Sequence, residues 1–135
     1  MEVKVESKIG KLCSSNDRIY EFLSNCSNFQ QFAGNDKVKD WRADSDSCSF
    51  TIEGAGNVAF RIVERNPGNM VKFSIENAQA ENIFLWIQLK SAGTDDTRVK
   101  LTAKLEVNAV MSMFISKPLK SGLDKIVETL EYVCK

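Results

Sequence analysis

The sequence contains no histidine. A chain without it has no Ser-His-Asp or Cys-His triad, no HExxH zinc site and no histidine pH switch. Net charge is missing as well, since 18 Lys+Arg stand against 18 Asp+Glu. Phosphate backbones select an excess of cations, so nucleic acid is not an expected partner. Long apolar runs are also absent. The longest, residues 83–87, is far short of the roughly 20 residues that span a bilayer, which argues against stable membrane insertion. The opening Met-Glu-Val-Lys-Val-Glu-Ser-Lys alternates charged and apolar residues, where a secretory leader needs an apolar core of about 7–15 residues. The expected compartment is therefore the cytoplasm. No Pro-, Gly- or Ser-rich linker divides the chain, and 135 residues fit one domain, read here as residues 1–135.

The four cysteines, Cys13, Cys26, Cys48 and Cys134, form no CxxC and no metal-like spacing. They read as small apolar residues in a reducing compartment, so neither a metal nor a cofactor is expected. Asn25-Cys26-Ser27 matches a glycosylation sequon, which means little without secretion. Gly54-Ala55-Gly56 links strand to strand and opens no helix that could hold a phosphate.

What the chain does have is alternation. Hydrophobic residues make up 43% of it, and area scaling buries about two thirds of the extended surface of a chain this size. Val3, Val5, Ser7 and Ile9 share one face of a first strand. Ser15-Asn16-Asp17 offers helix caps ahead of Ile19, Phe22, Leu23 and Cys26. Residues 28–35 read as a second short helix closed by Gly34. Period-2 patterns then recur over residues 38–42, 48–53, 58–65, 71–76, 83–90 and 99–107, separated by short turns such as Asn66-Pro67-Gly68-Asn69. Turns this short permit only an antiparallel meander. From Asn108, an N-cap candidate, Met111, Ile115, Leu119, Leu123, Ile126, Leu130 and Val133 form one apolar stripe. Pro118 lies inside it and predicts a kink or a break.

The predicted class is α+β: a seven-stranded curved antiparallel sheet, two short helices after the first strand and a long C-terminal helix. The opening Val3-Lys4-Val5-Glu6-Ser7-Lys8, Ile19-Tyr20-Glu21-Phe22-Leu23, Asp40-Trp41 and Cys48-Ser49-Phe50-Thr51-Ile52 carry a resemblance. So do Leu85-Trp86-Ile87-Gln88-Leu89 and Lys117-Pro118-Leu119 with Leu123-Asp124-Lys125. With these segments the whole chain resembles the helix-grip proteins of the SRPBCC, START-like or Bet v 1-like superfamily, in its small bacterial, polyketide cyclase-like branch. The resemblance implies a cavity between sheet and long helix that takes a lipid, sterol, polyketide or quinone-like ligand. A fold does not by itself license a reaction.

Inward strand residues and the first half of the long helix are the natural walls of such a cavity: Phe50, Phe60, Phe73, Leu85, Leu101, Met111, Phe114 and Ile115. The same residues could instead fill the space as an ordinary core. Trp41 is either a gate or an edge residue. Inward polar positions number few, Ser7, Cys48 and at most Glu64, too little for the acid–base pair of a cyclase or dehydratase. That enzymatic alternative requires Glu64 or Asp40 to point inward. Phe84 and Trp86 project from the opposite face and make an interface candidate for a homodimer, unless another element covers them. The leading expectation is a container for an apolar small molecule that performs no chemistry.

Overall fold

Alternating apolar and polar residues become one antiparallel sheet with a buried and a wet face. The computed structural model describes residues 1–33, 38–54, 56–78 and 80–134. Its strands are β1 (Glu2–Glu6), β2 (Gly10–Leu12), β3 (Val38–Ala43), β4 (Ser47–Ile52), β5 (Gly56–Asn66), β6 (Met70–Asn77), β7 (Ala80–Gly93) and β8 (Asp96–Glu106). Helix α1 (Asn16–Leu23) and a 3-10 helix (Cys26–Ala33) separate β2 from β3, and helix α2 (Ala109–Val133) follows β8. The strands run in the order β1-β8-β7-β6-β5-β4-β3, with β2 also paired to β8. The sheet thus has seven lanes, as expected, and the first lane is shared by two strands.

That split corrects the single first strand, and Ile9 with it. Ile9 is 68% exposed. Ser7 turns the chain: its hydroxyl donates to the Lys8 carbonyl at 2.7 Å and accepts from the Leu101 amide at 2.9 Å. Gly10 then resumes pairing opposite Val99. A Cβ on Gly10 would lie 2.4 Å from Val127 Cγ1, so only glycine lets α2 approach this closely. Acids on α2 complete the contact. The Lys8 amide donates to Asp124 Oδ1 at 2.7 Å and the Lys11 amide to Glu131 Oε2 at 3.0 Å.

Both long caps form as the sequence indicates. Ser15 accepts from the Arg18 amide at 3.3 Å, and Asn108 Oδ1 from the Met111 amide at 2.8 Å. The second helix is 3-10 throughout. The Phe32 side chain and Gly34, expected in and after it, lie outside the described residues, as does Ala55 of the glycine turn. Helix α2 runs unbroken through Pro118. Pro118 and Phe114 are both exposed, so water can satisfy the Phe114 carbonyl that proline leaves without an amide partner.

Two bulges redirect side chains. Between Ile62 and Glu64 the β5–β6 register shifts, so Ile62 faces Phe73 while Glu64 pairs with Lys72. The extra residue turns Glu64 to the wet side, where it is exposed. It also brings Arg65 opposite Val71, on the face that the alternation had kept free of arginine. There Arg65 donates to the Ser24 carbonyl at 2.9 Å and to Asp46 at 2.7 Å. The second bulge, between Lys39 and Arg42 on β3, shapes the site described next.

Candidate ligand cavity

Helix α2 packs on β1, β2 and β8, one end of the sheet. The concave face of the other end borders a cavity of about 300 Å³. Val38 and Trp41 of β3, Cys48, Phe50 and Ile52 of β4, and Phe60 of β5 form one wall. Phe73 of β6 with Leu85 and Ile87 of β7 continue it, and Leu23, Phe29, Ile126 and Leu130 close it from the helices. Every lining side chain is apolar or a thiol.

Six rings run in sequence through and beside this wall. Trp41 stacks on Phe50 at 5.4 Å between centroids, Phe50 meets Phe60 at 5.6 Å, and Phe60 meets Phe73 at 6.2 Å. Phe29 then joins Phe73 at 5.8 Å and Phe22 at 6.4 Å. Offset and tilted pairs at these spacings suit the ring quadrupoles. Trp41 reaches its place through the β3 bulge. Asp40 sits there at φ +56°, a left-handed conformation that aspartate tolerates better than most side chains. Two residues of β3, Asp40 and Trp41, thereby oppose Phe50 alone, and the indole turns onto the Phe50 ring.

The structure brings together five of the residues proposed from sequence: Trp41, Phe50, Phe60, Phe73 and Leu85. It places the other four elsewhere. Leu101 is fully buried on β8, directly under the end of the sheet that α2 covers. Met111 and Ile115 are half-buried against the core. Phe114 is 68% exposed, because it lies about 100° around the helix from the Ile115 stripe. The helical contribution comes from the second half of α2, through Ile126 and Leu130, both already members of that stripe. Phe29 and Val38 carried no such signal, since their place depends on how the 3-10 helix and the β3–β4 hairpin close over the sheet, whereas Ile52 shares the strand parity of Cys48 and Phe50.

Asp40 and Glu64, the carboxylates an acid–base mechanism needed inward, are both exposed, and neither lines the cavity. The bulges described above turn them outward. Among the described residues no three His, Cys, Asp or Glu side chains gather as a metal site. Phe84 and Trp86 do lie on the wet face, 6.1 Å apart, and are half-buried there. Lys72 Nζ lies 4.6 Å from the Phe84 ring and 5.0 Å from Trp86, and Lys104 Nζ is 5.9 Å from Trp86. A second hollow of about 390 Å³, with Arg42, Asp44, Arg61 and Glu76 in its walls, is charged and unsuited to an apolar guest.

The one sulfur in the cavity wall is the Cys48 thiol, with Cys26 nearby. Cys26 is fully buried and Cys48 is 4% exposed, and of the two only Cys48 lines the cavity. The Cys48 sulfur beside it, and then burial, push the Cys26 thiol far above the ordinary range. The Cys26 thiol beside it holds Cys48 below the usual thiol value, against the opposing effect of burial.

Neither a protein-family model nor a curated protein sequence matches the chain. Solved structures do match it. A norcoclaurine synthase from Thalictrum flavum, in complex with dopamine and hydroxybenzaldehyde, is 12% identical with a TM-score of 0.75, over 98% of this chain and 86% of that one. The chain has the helix-grip fold of the START-like and Bet v 1-like proteins. A START superfamily protein from Mycobacterium smegmatis shares this helix-grip architecture at 13% identity and a TM-score of 0.72, over 98% of this chain and 96% of that one. The protein XoxI from Bacillus cereus does so at 12% identity and 0.73, over 98% and 94%. At these identities the likeness concerns the fold. No helix among the described residues is long and apolar enough to cross a membrane.

Proposed function

We propose that this helix-grip protein binds an apolar small molecule between the concave sheet and the second half of α2. The observation that carries the reading is the cavity itself, about 300 Å³ walled by rings and aliphatic side chains. Removing ligand surface from water there contributes roughly 25 cal/mol per Å². The volume lies at the lower end of the roughly 300–1,000 Å³ typical of ligand sites. It favours a ligand of one to three rings, or a short acyl chain, over a whole sterol. The aromatic compounds named with the norcoclaurine synthase structure are of that size. An acid–base cyclase or dehydratase is disfavoured, because its carboxylates, Asp40 and Glu64, face solvent.

Titration with the neutral fluorophore phenylnaphthylamine tests the reading. The expected result is saturable one-to-one enhancement that Ile52→Trp, which puts an indole into the cavity, abolishes without lowering the melting temperature. Absence of saturable binding to the wild-type protein overturns it. Native mass spectrometry of protein from its own host then identifies the ligand.

A further inference from the structure

We propose that the outward face of the first half of α2 is a docking surface for anionic lipid membranes. This face stands apart from the cavity, which meets only the second half of the helix. Met113 is 79% exposed, and Val110 and Phe114 are exposed beside it. Spacings of three and four residues put all three on one side of the helix. Met1, also exposed, extends the patch, with its sulfur 3.0 Å from the Ser112 hydroxyl. Elsewhere among the described residues, Ile9, Val63 and Tyr132 are the large apolar side chains comparably exposed. A helix that covers a core keeps its apolar residues on the covered side, where Met111, Ile115 and Leu119 pack. A second apolar group gathered on the outward side marks a contact surface.

The charge around the patch selects its occupant. From Ala109 to Leu123 the helix carries no acid, and its two charges are Lys117 and Lys120. Lys117 follows Phe114 by three residues and Met113 by four, so it stands on the same face. Among the described residues it forms no ion pair. Nearby carboxylates are taken: Glu2 pairs with Lys104, Glu6 with Lys4 and Lys100, and Asp124 with Lys120. Glu81 and Glu106, grouped with Asn108, bound the face at its N-terminal end. An apolar tip with a cation one turn behind it matches a bilayer surface. The tip enters the acyl boundary, and the long lysine stem lets the ammonium reach lipid phosphate. The helix lies on such a surface and does not cross it. A second copy of the chain fits worse. Four apolar side chains are few against the roughly 20–30 residues a side of a stable dimer interface. A twofold contact centred on Phe114 would also bring two Lys117 ammoniums together with no acid to pair them.

The experiment floats the protein with vesicles of phosphatidylglycerol and phosphatidylcholine in equal parts, and with pure phosphatidylcholine as the reference. Partitioning should be about tenfold stronger on the anionic vesicles and should weaken as salt is raised. Phe114→Ser should lower it about tenfold, and Lys117→Gln about fivefold. Both side chains are exposed, so the melting temperature should stay unchanged in each variant. Sedimentation velocity without lipid measures self-association. Absence of partitioning onto anionic vesicles overturns the proposal, as does partitioning that Phe114→Ser leaves intact. A wild-type dimer that Phe114→Ser dissociates, with no vesicle binding, overturns it and assigns the face to a second copy. None of these outcomes alters phenylnaphthylamine binding by the lipid-free protein, so docking and ligand binding fail separately.

Discussion

The two ends of the sheet follow the same alternation and reach different densities. Under α2 the inward residues are aliphatic, and Leu12, Val99 and Leu101, with Val127 on the helix itself, are fully buried. At the other end four rings stand among them, Phe73 fully buried and Trp41, Phe50 and Phe60 only partly buried around the cavity. Branched aliphatic side chains interdigitate to the density of an organic crystal. Rings held at stacked and tilted 5–6 Å contacts brace one another as a wall instead of closing the space behind them. Side-chain shape, with polarity held constant, divides one hydrophobic face into a core and a container.

The largest expected effect tests the dense end. Leu101→Ala should cost about 3 kcal/mol in urea unfolding, the usual figure for a fully enclosed leucine. Phe50→Ala should cost clearly less, since the ring already borders empty volume, while weakening binding of phenylnaphthylamine. Equal losses from the two would erase the contrast between the two ends.

Next in size is Gly10→Ala, expected to destabilise by about 2 kcal/mol through overpacking against Val127. Val127→Ala in the same chain should restore part of that loss; a purely additive double mutant would show that the close approach is not the cause. At the cavity end, Asp40→Val should cost about 1–2 kcal/mol because a β-branched residue resists the left-handed region. Asp40→Gly should be neutral or slightly stabilising. Near-ultraviolet circular dichroism of the tryptophans should change with the valine alone, as the Trp41–Phe50 stack loosens.

The smallest effect is electrostatic. The Lys8 amide, and then Lys120, hold the Asp124 carboxyl below the usual carboxylate range. The unfolded chain therefore binds the proton first as pH falls. The stabilisation is complete above the ordinary aspartate value near 3.9 and is lost as pH drops through the lowered native value. Asp124→Asn should flatten the fall in melting temperature between about pH 5 and pH 3. An unchanged slope would place the acid sensitivity elsewhere.

Much of this fold can be read from periodicity, because alternation dictates which faces are buried and short turns dictate antiparallel neighbours. Leu85, Ile87 and Leu89 are buried and Phe84 and Trp86 lie on the wet side, as counting along β7 predicts. Counting fails wherever a residue is inserted. The β5 bulge moved Glu64 and Arg65 to faces opposite those that strict alternation gives, and the turn at Ser7 exposed Ile9. The cavity was half legible for a different reason. Strand parity placed Phe50, Phe60, Phe73 and Leu85, whereas the part of α2 facing the open end depends on where the helix crosses the sheet. That position is set by the close approach at Gly10 and by side-chain bonds more than a hundred residues apart in sequence.

Those same bonds bear on how the molecule behaves in a crowd. The lane of β1 and β2 is one rim of the sheet, and its outward amides are the donors through which a stray strand could add. At Lys8 and Lys11 the donors are already taken by Asp124 and Glu131, and the chain between the two strands bends out of line. A helix whose main task is to cover the core thus also guards that rim against templated, amyloid-like growth.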